Sequence, residues 1–352
     1  MDRTDFLESV NLLKSLIGIP SISREEENAA NFLEQYLENL GMEVGRKGNN
    51  VWCLSPDFSL NRKTILLNSH IDTVKPTSQW MKDPFEALEV NGKLYGLGSN
   101  DAGASLVCLS QVFLNLCKTR QNYNLIFLAS CEEEVSGTGG VADVLNCLPP
   151  ISFALVGEPT EMQPAIAERG LMVLDVIAKG KAGHAAREEG INAIYEALDD
   201  IIWFRDYQFK KISSVLGPVK MTMTIIQAGT QHNVIPDHCT MTVDVRSNEL
   251  YSNQELFEEI KKHVKSEVTA HSFRLNSSFI DLNHPFVKRA IKLGLKPFGS
   301  PTLSDQALMP FPSLKMGPGK SSRSHTADEF VMLKEIEEAI PLYYHLLDGL
   351  EL

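Results

Sequence analysis

The sequence predicts an α/β protein: a mostly parallel sheet covered by helices, with a smaller α+β domain inserted into it. Two continuous apolar runs of buried-strand type, 124–130 and 151–156, alternate with helical segments in the first half of the chain. Such runs are typical of parallel sheets that are covered on both faces. After about residue 169, shorter strands alternate apolar and polar residues, which indicates a sheet with one open face.

The elements of the first part can be assigned in order from their periodicity. Ser23 and Glu26 have the spacing of a capping box, and Gly41 is a helix stop signal. The predicted elements are a helix at 5–17, a second helix that ends near 40, strands at 51–54 and 64–70, a helix at 101–117, and the strands at 124–130 and 151–156.

The inserted part has the β-α-β-β-α-β order of a ferredoxin-like domain. Its elements are a strand at 170–177, a helix at 191–203, strands at 220–226 and 239–245, a helix at 254–267 and a strand at 272–278. After residue 281 the earlier style returns, with a long helix from Asp328 onward. We therefore expect a first domain formed by 1–167 and 280–352, and a second domain formed by 168–279.

Length and composition exclude several classes of protein. A chain of 352 residues is long enough for two domains. The net charge of −12 argues against nucleic acid or an anionic membrane as a partner. The sequence has no apolar run of 18 residues, and its charged amino terminus predicts a helix rather than a signal peptide. Six cysteines without a Cys-x-x-Cys pair fit a reducing cytoplasm.

Residues of metal-ligand type follow strands or glycine-bearing turns at five points along the chain. They are His70, Asp101, the pair Glu133 and Glu134, of which one would bind, Glu158 and His325. Ligands of parallel sheets collect beyond the carboxyl ends of the strands. Two imidazoles and three carboxylates are enough to hold two divalent ions ~3.5–4 Å apart if one carboxylate is shared, and Asp101 is the natural bridge. These donors suit zinc first and cobalt second.

One member of the pair Glu133 and Glu134, and also Asp72, are candidates for roles beside the ligands. Glu133 and Glu134 are neighbours that leave a strand in different directions, so one can bind metal while the other faces the cavity. The free carboxylate could take a proton from the attacking water and return it to a leaving nitrogen. Asp72, two residues after His70, could accept the outer N–H of that imidazole. A solvated charge run is the alternative for 132–134.

With these motifs in place, the chain resembles the acetylornithine deacetylase and succinyl-diaminopimelate desuccinylase family of dinuclear metallohydrolases. The resemblance covers nearly the whole chain. It rests on Ser-His-Ile-Asp-Thr-Val at 69–74, Tyr-Gly-Leu-Gly-Ser-Asn-Asp at 95–101, Glu-Glu-Glu at 132–134, Gly-Glu-Pro-Thr at 157–160, Ala-Gly-His-Ala at 182–185, Asn-Val-Ile-Pro-Asp at 233–237, and Gly-Pro-Gly at 317–319 followed by Ser-His.

The resemblance implies a role for each matching residue. One ion would be held by His70, Asp101 and Glu158, and the other by Asp101, Glu134 and His325. Glu133 would be the general base. The inserted domain would be a lid and would form a homodimer. His184 would reach the active site of the partner subunit and help to stabilise the oxyanion.

Candidate substrate-binding residues lie in the inserted domain and in the loop before His325. Arg246 and Asn233 match lid positions that contact substrate in relatives, and the planar fork of an arginine suits an α-carboxylate. Gly319, Lys320 and Arg323 belong to the loop. If Lys320 or Arg323 faces the pocket, it could bind a second carboxylate. A solvated basic loop is the alternative.

Two departures from the family pattern leave the substrate open. Leu97 stands where arginine is usual, and Ala-Gly-Ala at 102–104 stands where Met-Lys-Gly is usual. The strongest resemblance is to acetylornithine deacetylases of arginine biosynthesis, which implies ornithine and acetate as products. The alternatives are a desuccinylase that acts on N-succinylornithine or succinyl-diaminopimelate, and a dipeptidase. A non-catalytic dimeric binding protein is a further alternative, although Glu133 and all five ligands are retained.

Overall fold

The structure, a computed structural model, describes residues 3–187 and 189–352. The chain divides into two units. The first unit comprises Met1–Ile166, Phe279–Phe298 and Ser304–Leu352, and the second comprises Ala167–Ser278 and Gly299–Leu303. In the described residues, no helix is long and apolar enough to cross a membrane.

The helices and strands follow one another along the whole chain. The helices are α1 (Arg3–Ile17), α2 (Glu27–Asn39), α3 (Ala104–Leu116), α4 (Val141–Val144), α5 (Ala193–Asp206), α6 (Asn253–His263), α7 (Pro285–Lys292) and α8 (Leu333–Leu347). The strands are β1 (Val44–Lys47), β2 (Asn50–Leu54), β3 (Thr64–His70), β4 (Leu88–Val90), β5 (Lys93–Tyr95), β6 (Asn124–Ser130), β7 (Phe153–Val156), β8 (Ala165–Glu168), β9 (Met172–Lys179), β10 (Gly183–His184), β11 (Lys220–Ala228), β12 (Val234–Ile235), β13 (His238–Arg246), β14 (Glu267–Ala270), β15 (Ser278–Phe279), β16 (Phe298–Ser300), β17 (Ser313–Lys315) and β18 (Phe330–Met332).

A mixed sheet forms the centre of the first unit. Its strand order is β1-β2-β6-β3-β7-β17-β8-β15, with β16 paired to β8. The neighbouring strands β6, β3, β7 and β17 are parallel. Helices cover both faces, which is why β3 and β6 are buried along their whole length. On one face Phe113 of α3 lies 6.0 Å from Phe127, and on the other Val141 of α4 packs with Leu66 and Ile126.

The second unit contains an antiparallel sheet with the order β11-β13-β9-β14. Along the chain its elements follow the order β9, α5, β11, β13, α6 and β14, which is ferredoxin-like. Alternate residues of β9 and β13 are buried, because α5 and α6 cover only one face of the sheet. The predicted fold class is therefore confirmed.

Gly299–Leu303 belongs to the second unit, whereas the sequence placed all of 280–352 in the first domain. A Cβ atom on Gly299 would lie 2.6 Å from the carbonyl oxygen of Val215. The backbone N–H of Arg169 donates to the carbonyl oxygen of Ser300 at 3.2 Å. These long-range contacts have no local sequence signature.

The predicted capping box at the start of α2 is wrong. The N-cap residue is Glu26, and no side chain caps the helix. The hydroxyl of Ser23 donates to Asp72 at 2.7 Å, and the Glu26 carboxylate accepts the backbone N–H groups of Arg24 at 2.7 Å and Glu132 at 3.1 Å. Partners within the tertiary structure therefore replace the local cap.

Three predicted boundaries also moved. Asp101 has an extended backbone within the irregular turn Ser99–Gly103, so α3 begins only at Ala104. The last strand of the second unit is β14 rather than 272–278, because α6 ends at His263. Asp328 begins no helix, since β18 pairs with β5 before α8 starts.

Candidate metal centre

The predicted metal ligands lie at one edge of the central sheet and in two neighbouring loops of the first unit. His70 ends β3, Glu134 lies in a short turn after β6, and Glu158 follows β7. Because these three strands are parallel neighbours, their carboxyl ends lie at the same edge. Asp101 comes from the turn before α3, and His325 follows the turn Ser321–Arg323 with a φ of 59°.

The carboxylate of Asp101 lies between the two histidines. Its Oδ1 is 3.4 Å from Nε2 of His70, and its Oδ2 is 3.6 Å from Nε2 of His325. Glu158 Oε1 lies 3.8 Å from Nε2 of His70, and Glu134 Oε2 lies 2.8 Å from Nε2 of His325. The structure thus brings all five predicted ligands together, in two sets that share Asp101.

The surroundings of His70 fit a divalent cation. Nδ1 of His70 lies 2.9 Å from the carbonyl oxygen of Asp72, which can only accept, so Nδ1 carries a proton in the neutral ring as well as in the charged one. Nε2 is buried without a hydrogen-bond partner, and in a neutral ring it would present a lone pair to the carboxylates of Asp101 and Glu158. One ligand atom each from His70, Asp101 and Glu134 lies within 4.8 Å of the others. A cation between these atoms would offset the electrostatic repulsion between the imidazole lone pair and the carboxylates.

The pKa values of His70 and Glu158 also indicate a site that is stabilised by added positive charge. Burial alone would lower the pKa of His70, but Asp101, Asp72 and Glu133 outweigh burial and hold that pKa well above its ordinary range. Burial and the charge of Asp101 raise the pKa of Glu158 to about 8. A bound cation would supply this positive charge in place of the protons.

The three glutamates at 132–134 have different surroundings, so they are not a solvated charge run. Glu132 has a φ of 56°, and its carboxylate accepts the N–H of Gly139 at 3.3 Å. A Cβ atom on Gly137 would collide with the same carboxylate, which accounts for the glycine-rich turn. Glu134 contacts His325. Glu133 is half-buried, and burial, opposed by His70 but reinforced by neighbouring carboxylates, raises its pKa well above the ordinary range.

Asp72 acts differently from the prediction. Its carboxylate Oδ1 is 3.6 Å from Nδ1 of His70, whereas its carbonyl oxygen is only 2.9 Å away and accepts the imidazole N–H. The carboxylate instead accepts the backbone N–H groups of Glu133 at 3.0 Å and Glu134 at 3.1 Å. Asp72 therefore orients His70 through its backbone and holds the glutamate turn through its side chain.

His184, Asn233 and Arg246 lie in the second unit. His184 is exposed on β10, where its Nδ1 accepts the N–H of Ala186 at 3.1 Å. The neighbouring Ala185 N–H donates to the carbonyl oxygen of Asn233 at 3.0 Å, so the two predicted segments are adjacent. Arg246 ends β13, and its guanidinium donates to both oxygens of Asp244, at 2.8 and 3.0 Å.

The basic residues before His325 have acidic partners. Lys320 is exposed, and its Nζ lies 2.7 Å from Glu161. Arg323 forms a two-pronged ion pair with Glu335, at 2.7 and 3.2 Å, and lies over the ring of Phe330 at 4.5 Å. The position of Arg323 is thus explained by its contacts with Glu335 and Phe330. It requires neither a bound substrate nor a side chain free in solvent.

Glu329 and Asn100 belong to the site but were missed by the sequence reasoning. The buried carboxylate of Glu329 accepts three N–H groups of the turn that carries Asp101. Burial and the charge of Asp101 raise the pKa of Glu329 to about 8. The side chain of Asn100 bonds to the backbone of Lys320 and packs against Gly319, whose φ is 90°. The one available signal was an acidic residue shortly after His325.

Comparison with known proteins agrees with this geometry. Residues 66–349, more than half of the chain, match the model of peptidase family M20/M25/M40. The chain belongs to this family. Membership confirms the resemblance seen in the sequence and makes the chain a hydrolase of the M20 class.

Three relatives illustrate the range of this family. The chain is 27% identical to an acetylornithine deacetylase from Proteus mirabilis, over 97% of this chain and 96% of that one. It is 29% identical to a succinyl-diaminopimelate desuccinylase from Sulfurimonas denitrificans, over 74% and 73% respectively. Its fold is similar to that of the Bacillus subtilis YXEP protein, a dinuclear metal binding peptidase, with a TM-score of 0.75, 19% identity and 98% of each chain covered.

Proposed function

We propose that this chain hydrolyses the amide bond of an N-acyl amino acid, with N-acetyl-L-ornithine as the first substrate to test. The observation that carries the proposal is the carboxylate of Asp101, which turns one oxygen toward each of two histidines. The names of two relatives supply the substrate class, since one is an acetylornithine deacetylase and the other a succinyl-diaminopimelate desuccinylase. A place in arginine biosynthesis and a cytoplasmic location remain predictions.

In this proposal His70, Asp101 and Glu158 hold one divalent ion, and Asp101, Glu134 and His325 hold the other. The YXEP protein, whose fold is similar, is described as a dinuclear metal binding peptidase, and this description supports the proposal of two ions. Imidazole and carboxylate donors suit zinc, with cobalt as the alternative. When bound, the ions would supply positive charge that polarises the substrate carbonyl and makes water more acidic.

The residues of the chain would then handle orientation and protons. Asp72 holds the turn of Glu133, whose half-buried carboxylate interacts electrostatically with His70, Glu158 and Glu134. Glu133 takes one proton from the attacking water and delivers it to the leaving nitrogen, which departs as a neutral amine.

Recognition of the substrate is assigned to the second unit and to the loop around Gly319. Arg246 with Asn233 is our candidate for the α-carboxylate. The ion pair with Asp244 uses Nε and Nη2 of Arg246, so Nη1 is the donor proposed to meet substrate. Lys320 remains a candidate for a second carboxylate, because its contact with Glu161 is an exposed ion pair of small worth.

We also propose a homodimer formed through the second unit, with His184 acting in the active site of the partner subunit. β11 is an edge strand of its sheet, and Ile225 and Ile226 are half-exposed on it. Tyr195, Leu198 and Ile202 are exposed on α5. An apolar edge strand and an apolar helix face on one unit support a self-association surface.

Product release from N-acetylornithine and from N-succinylornithine tests the proposal. Metal-loaded protein should release ornithine from at least one of them, and a chelator should abolish the release. Re-addition of zinc should restore it. The non-catalytic alternative predicts that the protein binds these ligands without releasing product, and the dipeptidase alternative predicts turnover of unblocked dipeptides only.

A further inference from the structure

Two segments that carry proposed metal ligands meet at one buried carboxylate. We call residues 98–101 the aspartate turn and residues 320–329 the histidine loop. Oε1 of Glu329, the last residue of the histidine loop, accepts the N–H groups of Asn100 at 2.7 Å and Asp101 at 2.9 Å. Oε2 accepts the N–H of Gly98 at 3.1 Å. The residue is only 2% exposed, so these bonds are shielded from water.

The aspartate turn holds the histidine loop in return. Asn100 Oδ1 accepts the N–H of Lys320 at 2.9 Å, and its Nδ2 donates to the carbonyl oxygen of Lys320 at 3.1 Å and to the hydroxyl of Ser324 at 3.3 Å. The start of the loop is thus fixed by a side chain of the turn, and its end fixes the backbone of the turn. His325 lies between these two attachments of the loop, and Asp101 is itself bonded to Glu329 through its N–H.

Packing alone does not fix His325. Its side chain is 55% exposed, and its backbone has a positive φ of 59°. By contrast, His70 is buried at the end of β3, and Glu158 lies two residues after the buried β7. The position of His325 relative to Asp101 therefore depends on the attachments of the histidine loop more than on the sheet.

We propose that Glu329 is a positioning residue of the metal centre, which sets the distance between Asp101 and His325. It thereby controls affinity for the ion that these two residues share with Glu134. The proposal rests on the ligand assignment of the proposed function. It also implies an asymmetry: the ion held by His70, Asp101 and Glu158 depends less on Glu329.

The adjacent residue offers a matched control. Asp328 Oδ1 accepts the N–H groups of Met81 and Lys82, both at 3.0 Å, and Oδ2 accepts from Lys82 Nζ at 3.1 Å. Each carboxylate thus takes two N–H groups on one oxygen and a third donor on the other. Only that of Glu329 touches the aspartate turn. Asp328→Asn and Glu329→Gln are therefore equivalent chemical changes in the same loop.

Zinc titration of the metal-free protein, followed by calorimetry, tests the proposal without relying on activity. Wild-type protein and Asp328→Asn should each bind two ions, and the affinity at each site should be the same in the two proteins. Glu329→Ala should bind one ion normally and the other ~10–100-fold more weakly, the range seen when a partner of a metal ligand is removed. Glu329→Gln keeps one acceptor oxygen and should fall between the two.

Several results would overturn the proposal. If both Glu329 variants bind two ions with the affinities of the wild type, Glu329 is not a positioning residue. That result would not affect the proposed function. Another such result is equal weakening in Asp328→Asn, which would indicate general loosening of the loop. A wild-type protein that binds no ion would reject the ligand assignment as well. Circular dichroism checks folding, and if Glu329→Ala does not fold, the comparison of Glu329→Gln with Asp328→Asn decides.

Discussion

The carboxylate of Asp72 accepts the backbone N–H of Glu133 at 3.0 Å. It also accepts the N–H of Glu134 at 3.1 Å and the hydroxyl of Ser23 at 2.7 Å. Burial would raise the pKa of Asp72, but His70 and these donors outweigh burial and hold that pKa below its ordinary value. One ionised side chain thus fixes the turn that presents both the proposed base and a proposed ligand.

Replacing Asp72 should reduce stability and activity together. In Asp72→Ala two partly buried N–H groups lose their acceptor, so the free energy of unfolding should fall by ~1–3 kcal/mol. Asp72→Asn retains one acceptor oxygen and should lose less. Ser23→Ala removes one donor and leaves both N–H bonds intact, so it serves as the control. Urea unfolding and kcat/KM measure these effects, and wild-type values for Asp72→Ala would reject this role.

Arg323 and Lys320 should respond differently to alanine. The partly buried ion pair of Arg323 with Glu335 should make Arg323→Ala less stable by ~1.5–3 kcal/mol, the scale of charged hydrogen bonds. Its kcat/KM values for N-acetylornithine and N-succinylornithine should change by the same factor. Lys320→Ala should unfold like the wild type. Selective loss of N-succinylornithine turnover in Arg323→Ala would show that Arg323 binds the acyl group after all.

His184 should act across subunits. Protein carrying Glu133→Ala and protein carrying His184→Ala should each be inactive. Hybrid dimers formed by mixing them contain one active site with both residues intact, so part of the activity should return. Native mass spectrometry can verify subunit exchange. Absence of recovery despite exchange would place His184 in the active site of its own chain or outside catalysis.

His284 should make the first unit sensitive to acid. Burial lowers the pKa of His284, Lys63 adds to this effect, and Asp281 opposes it. Because the folded pKa lies below the unfolded value of about 6.5, the unfolded state gains the proton first, and stability falls as the pH drops through that value.

His284→Asn tests this dependence. Asparagine can still cap α7 but does not titrate, although it loses the contact of the His284 ring with Phe153. The stability advantage of the wild type over the variant should shrink between about pH 8 and about pH 5, measured by urea unfolding of chelated protein. An advantage that is constant with pH would contradict the shift.

The sequence predicted those parts of the structure that local patterns determine. β3 and β6 were placed correctly because apolar runs of strand length are typical of parallel strands that are covered on both faces. Ser23 and Glu26 match a local capping rule, yet partners more than 40 residues away compete for them successfully. The Ser23 hydroxyl donates to Asp72, and the Glu26 carboxylate accepts from the N–H of Glu132. The pairing of Glu329 with the aspartate turn spans over 200 residues and has no pattern of its own. The sequence likewise does not reveal that Arg323 pairs with Glu335, because this ion pair forms only in the folded structure.

Counting the metal ions in Glu133→Ala protein tests the assignment of ligands and base most directly. We predict two ions per chain by elemental analysis, as in the wild type, because Glu133 is not among the five ligands. The kcat of the variant should fall by ~10²–10⁴-fold, because the proton between water and the leaving nitrogen loses its carrier. A variant that loses an ion, or that keeps both ions and most of its activity, would contradict the assignment.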